Sequence, residues 1–160
     1  MMLACVVPIA GCATTTTSEA TKAATAAAAA ELAAMQERVQ RELPTVPSTG
    51  FVDFVDGGGL KIGGSIVGDT SYRFSGGTNT VLFAAEQHDG VGVASAVVTG
   101  FANSGAGDLY DDALVYSCFT LSIDLSAQTV LGYDDLPCPP LVTDSLDSGQ
   151  GQLSLDDLST

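Results

Sequence analysis

Cys118 and Cys138 bracket a stretch in which apolar and polar residues alternate, CFTLSIDLSAQTVLGYDDLPC. No other feature of the chain constrains its fold as much. Alternation with a period of two is the signature of a half-buried strand. A turn placed at Ala127-Gln128 folds the stretch into a hairpin. Leu125 then faces Leu131, Ile123 faces Tyr133 and Phe119 faces Pro137, which makes one apolar face. The same register sets Cys118 opposite Cys138. A slip of one residue would break both the apolar face and the cysteine match. A disulfide closing this loop stabilises the fold by ~3 kcal/mol through the unfolded state. The two cysteines are not in a C-x-x-C arrangement, so a staple is favoured over a redox role.

The same strand signature extends over the second half of the chain. β-branched and aromatic runs punctuated by glycine predict short strands at 51–56, 60–67, 71–75, 80–87, 91–101, 114–125 and 129–133. Asp89-Gly90 is a two-residue turn signal, because both central positions of such a turn want positive φ. Pairing outward from it sets Glu86 opposite Val93, Ala84 opposite Ser95 and Leu82 opposite Val97. Val81, Phe83 and Ala85 then meet Val98, Ala96 and Ala94 on one packed face.

Ahead of the strands lies a different kind of sequence. Residues 24–43, ATAAAAAELAAMQERVQREL, consist mostly of the strongest helix formers. Leu32, Met35, Val39 and Leu43 fall at helical spacing and form one narrow apolar stripe. Packing against the sheet is the favoured role for that stripe; contact with a partner helix is the alternative. Thr16 with Glu19 offers an early capping box, and a later start suits the sequence equally well. Pro44 and Pro47 end the helix. The fold class expected is α+β: an Ala-rich helix on or before a small antiparallel β domain built of hairpins, with one disulfide.

Charge narrows the function classes. The 160-residue chain has five basic and nineteen acidic residues, a formal net charge of −14. Such a chain repels phosphate backbones, so nucleic acid is excluded as a partner. A basic membrane-surface helix is absent as well.

The N-terminus gives the strongest hint of location. Residues 1–11 carry no charged group, and the run is too short to span the roughly 20 residues a bilayer-crossing helix needs. It reads as a signal peptide. Ile9-Ala10-Gly11-Cys12 resembles the lipobox of bacterial lipoprotein signal peptides: an aliphatic residue, two small ones, then cysteine. The resemblance implies cleavage before Cys12, a diacylglycerol on its sulfur, and a lipid anchor in the cell membrane facing outside the cytoplasm. Two acyl chains suffice for stable anchoring. Of the four cysteines, Cys5 would be discarded and Cys12 lipidated. Cys118 and Cys138 would remain as a pair that an extracytoplasmic protein can keep oxidised. The organisation expected is a signal peptide at 1–11, a flexible tether at 12–23, a helix at 24–43 and a linker at 44–50. A β domain at 51–142 and a disordered acidic tail at 143–160 follow, the tail's Leu146, Leu153, Leu155 and Leu158 leaving room for a docking peptide.

Little in the sequence has the pattern of catalysis. His88 is the single histidine, so any His-based triad must use it, and it sits beside a predicted turn where nothing tunes a base. Ser65 misses the G-x-S-x-G elbow. The glycines at 57–59 and 63–64 fail the spacing of phosphate-cradling loops. The tandem carboxylates Asp111-Asp112 and Asp134-Asp135 point to opposite faces if they lie on strands. Asn103, Asp108, Asp111 and Asp112 cluster in one Gly-rich stretch and are weak Ca²⁺ candidates, without EF-hand spacing. Zinc needs about four ligands, which one histidine and these cysteines do not supply. No cofactor motif is present. The expectation is a lipid-anchored envelope protein with a binding or structural role toward a protein or small molecule. The alternative is an extracytoplasmic hydrolase using carboxylates and His88.

Overall fold

The first helix, α1 (Glu19–Glu42), begins where a serine can cap it: the Ser18 side chain accepts from the Thr21 backbone N–H. In the computed structural model, residues 18–67, 77–105, 111–146 and 151–159 are described. The signal segment, Thr16 and Cys12 lie outside them. The tether expected at 12–23 gives way to helix from Glu19 onward, because Ser18 supplies the cap and the alanines that follow keep the turn going. A 3₁₀ turn over Leu43–Thr45 with Pro44 inside it closes the helix.

The buried face of α1 is longer than the stripe of large residues. Ala20, Ala24 and Ala28 lie on the same side as Leu32, Met35 and Val39, and all six are buried. They pack on a five-stranded sheet in the order β1-β2-β3-β4-β5. Its strands are β1 (Gly64–Ser65), β2 (Asn79–His88), β3 (Val91–Ser104), β4 (Asp111–Asp124) and β5 (Thr129–Asp135). β1 pairs with β2 in parallel over two residues, and the other pairings are antiparallel. The architecture is therefore α+β, with a helix on a mostly antiparallel sheet and one disulfide, Cys118–Cys138.

Side chains alternate across the long central strands. Ala94, Ala96 and Val98 of β3 join Phe119, Leu121 and Ile123 of β4 under α1. Val97 and Cys118 point to the other face, where Ile66, Val81, Leu114, Val142 and Leu146 form a second, smaller core.

The Asp89-Gly90 turn forms as expected, with φ of 49° and 82°. Glu86 pairs with Val93 and Ala84 with Ser95. Beyond Ala84 a bulge shifts the register, so Leu82 meets Ala96 and Val81 meets Val97. Phe83 and Ala85 are thereby split: Phe83 packs in the second core and Ala85 in the first. Such a bulge twists the strand and re-aims its side chains.

The second hairpin departs from its expected register, and Leu131 leaves the apolar face on which it was expected while Val130 takes the core side. Leu121 meets Tyr133 and Phe119 meets Asp135; after a bulge, Ile123 meets Val130. The residue left over is Leu131, 58% exposed. Leu136, not Cys138, is hydrogen-bonded to the Cys118 carbonyl, at 2.9 Å. The cysteines still meet, with Cα atoms 5.3 Å apart. Before the bulge the displacement is two residues, which keeps Phe119, Leu121 and Tyr133 on one face and Cys118 on the other, and the bridge survives.

Three other segments depart from the sequence reading. Residues 51–56 form a helix, α2 (Phe51–Asp56), rather than a strand. Phe51 and Val55 are four apart and both buried, and the Phe51 N–H is taken by the Gln87 side chain at 2.9 Å. A six-residue apolar run does not distinguish the two periods. Of the strand expected at 60–67, Gly64–Ser65 alone pairs; the one at 71–75 lies outside the described residues. The tail is not disordered over 151–159. After a short helix α3 (Pro140–Thr143), the chain ends in α4 (Leu155–Leu158), whose Leu158 is buried in the main core. Leucines spaced for a docking peptide dock instead on their own chain.

The closest approach of helix and sheet is at Gly100. A Cβ there would overlap the Ala24 carbonyl oxygen and sit 2.7 Å from Ala28 Cβ. Gly100→Ala should therefore lose ~1–3 kcal/mol or more, because both backbones must part. Gly132→Ala on β5, where a Cβ meets nothing within 4 Å, should change stability by about 0.5 kcal/mol or less. Urea midpoints of the two variants check this.

Candidate functional site

The residues singled out in the sequence are scattered by the fold. Asp111 and Asp112 begin β4, exposed and paired with Ser104 and Asn103 across the ladder. Asp108 lies outside the described residues, and among those described no group of three or more His, Cys, Asp or Glu is placed to hold a metal. His88 ends β2 in solvent and meets Glu86 Oε2 at 3.0 Å, both side chains more than 60% exposed. A solvated pair of this kind gains little from its Coulomb attraction.

Other carboxylates are engaged in structural contacts. Glu31 Oε1 accepts from Arg38 Nη2 at 2.5 Å and from Thr80 Oγ1 at 2.9 Å. Arg38 Nε donates onward to the Ile62 carbonyl at 3.0 Å. This chain of bonds ties α1 to β2 and to the segment before β1. Asp124 accepts from the N–H groups of Ala127 and Ser126 and from the Ser126 hydroxyl. Those donors, Ala127 first, hold its carboxyl below the ordinary aspartate value. Asp157 is lowered in the same way by the Ser154 N–H and hydroxyl in the α4 capping box.

Two glutamines grip backbone at the hairpin end of the sheet. Gln87 accepts from Phe51 N and donates to the Ser48 carbonyl. Gln128, at φ 51°, donates to the Pro44 and Val46 carbonyls. Neither role is legible in the sequence, since both residues are ordinary polar positions of a hairpin.

What the fold does bring together is a seam around the disulfide. Beyond Leu136 the chain leaves β4, and Cys138 returns to bond Cys118, which is fully buried. The C-terminal segment crosses here. Gln152 forms a parallel bridge with Tyr116, and Leu153 N donates to the Tyr116 carbonyl at 2.8 Å. The Gln152 amide donates to the Leu136 carbonyl at 3.1 Å and accepts from Cys138 N at 3.3 Å. Asp135, Leu136, Pro137, Gln152, Leu153 and Ser154 line a shallow groove of about 370 Å³ along the seam. The sequence marked the cysteines but not their partners, because no spacing links residue 152 to residue 116.

Next to the seam, the Tyr133 ring packs on Phe119 with centroids 6.2 Å apart. Its hydroxyl is buried without a hydrogen-bond partner, as is that of Ser117. Burial pushes the Tyr133 pKa up. The chain matches no family model, no curated protein and no solved structure.

Replacing Cys118 and Cys138 together by alanine should cost ~2–4 kcal/mol, read from urea unfolding of the oxidised parent and the variant. Tyr133→Phe should be neutral or stabilising by up to ~1 kcal/mol, because no bond is lost. The phenol's folded pKa lies above its unfolded value, so its contribution is complete below that unfolded value and is lost as pH rises through the folded one. Tyr133→Phe should therefore lose less stability than the parent between neutrality and about pH 11, measured by thermal melts.

Proposed function

We propose that the chain is a lipid-anchored protein of the bacterial cell envelope, held in the membrane through Cys12 and facing outside the cytoplasm. Its role there is binding or structural, toward a protein or small molecule. The observation that carries the location is Ile9-Ala10-Gly11-Cys12 on a chain whose other bonded sulfurs, Cys118 and Cys138, form a disulfide. Disulfides persist in oxidising compartments and are rare where glutathione keeps thiols reduced. No described helix is long and apolar enough to cross a membrane, and a diacylated cysteine needs none.

A binding or structural role is supported by how the ionisable groups are used. Glu31 braces the helix on the sheet, Asp124 holds a turn, and Asp135 and Asp157 hold the C-terminal segment. Each acts as a hydrogen-bond acceptor for the chain itself. General acid–base catalysis asks instead for a positioned group whose pKa lies near the working pH.

The experiment is the intact mass of protein extracted from membranes of a bacterial expression host. The expected species begins at Cys12, carries a diacylglycerol, and is two hydrogens lighter for the disulfide. Cys12→Ser should abolish the acyl mass and release the protein from the membrane fraction. Membrane-extracted chain that retains Met1, or an unmodified Cys12 thiol, would sink the proposal.

A further inference from the structure

We propose that the outer edge of β5 is a docking site for an extended, basic segment of another protein, which adds to the sheet as a further strand. β5 is the last strand of the sheet, and its seven residues pair with β4 alone. A strand directs alternate N–H and C=O groups to its two sides, so about half of those in Thr129–Asp135 point away from β4. Among the described residues no backbone hydrogen bond reaches them from that side. Addition of a peptide strand to such an edge is a recurring mode of recognition. The site rests on the binding role proposed above and gives it a surface and a partner.

The side chains of this edge describe what fits it. Edge strands are ordinarily kept from pairing by lysine, proline or a covering segment; residues 129–135 contain neither lysine nor proline. Leu131, set apart by the bulge, is 58% exposed, more than any other large apolar side chain among the described residues. Beside it Gly132 leaves a gap, where a Cβ would meet nothing within 4 Å. A large side chain on an adjoining strand can cover an edge glycine of this kind. Asp134 lies two residues on and so shares a face with Gly132, and Asp135 lies on the other face; both are exposed. Asp135 Oδ1 accepts from the Leu155 N–H at 2.7 Å, which fixes its position at the end of the edge.

Charge selects the occupant. All five lysines and arginines precede β2 in the chain. Among the described residues no cation forms an ion pair with Asp134 or Asp135. A second copy would bring its own net charge of −14 to this edge, and at moderate salt that repulsion opposes pairing. A segment carrying lysine or arginine is drawn in by the same field. Its register follows from the edge. A large apolar residue faces Gly132 beside Leu131, and a basic residue two places along, on the same face, meets Asp134.

The test uses the full oxidised chain and a capped, fluorescent peptide, Thr-Lys-Lys-Val-Phe-Val-Thr, at low salt. Saturable binding is expected by anisotropy, with slowed hydrogen exchange at the outward amides of residues 129–135. Asp134→Asn should weaken binding about two- to fivefold, the range of an exposed ion pair. Asp134→Lys should weaken it further by setting like charge against the peptide. Asp111→Asn, at the start of β4 and equally exposed, should leave it unchanged. The same peptide N-methylated at alternate residues keeps its charge and should not bind. Equal binding of the N-methylated peptide, or equal losses from Asp111→Asn and Asp134→Asn, would reduce the effect to attraction between a cation and an acidic protein and overturn the site. Absence of saturable binding to the parent would overturn it too. A dimer of the chain in sedimentation that Leu131→Lys dissolves would give the edge to a second copy instead. None of these failures touches the Cys12 anchor, which intact mass reads separately.

Discussion

The contact between the alanine face of α1 and Gly100 of β3 sets the spacing of the whole molecule. Helix and sheet can approach this closely because neither presents a side chain larger than a methyl group where they cross. From that point the helix buries larger residues of its own, Leu32, Met35 and Val39, over the sheet. Small residues where backbones meet and large ones where they diverge produce a dense core without strain. A second close approach repeats the device at the far end, where Gly92 leaves room for the Phe51 ring of α2. The long alanine tract is thus a packing requirement as much as a helix propensity.

The sheet divides the interior unequally. The α1 side holds the larger core, and the opposite side holds the smaller one, into which Cys118 points. That second core includes Val142 and Leu146, from α3 and just beyond it. The disulfide sits where this core meets the strand edge, and it fixes a chain that has left the sheet and lost its ladder bonds. A cross-link matters most where hydrogen bonding gives out, and here it does so just past the last β5 pairing.

The sequence revealed side-chain parity better than it revealed pairing. Alternation told which residues of β4 face the helix, because period two is a local property of the strand. It did not tell which residues of β5 lie opposite, because a shift by two satisfies the same pattern, and bulges near Phe83 and Leu131 absorb the odd residue. The short helix at Phe51–Asp56 was illegible for a related reason, since buried residues four apart fit both periods. The order of the last nine described residues was hidden differently. Their composition is acidic and glycine-bearing, yet single leucines and one glutamine tie them down through partners remote in sequence. For the seam itself, two cysteines were visible in the chain and the groove beside them was not. The location reading stands on Ile9-Ala10-Gly11-Cys12, outside the described residues, where fold and packing have no say.

The direction of α1 gives the molecule a polarity. Its early turns lie over Gly100, and its last turn runs into the stretch that Gln128 and Gln87 grasp beside the two hairpin bends. A 24-residue helix is about 36 Å long. Whatever is joined upstream of Ser18 is thus a full helix length from the bends at Asp89-Gly90 and Ala127-Gln128.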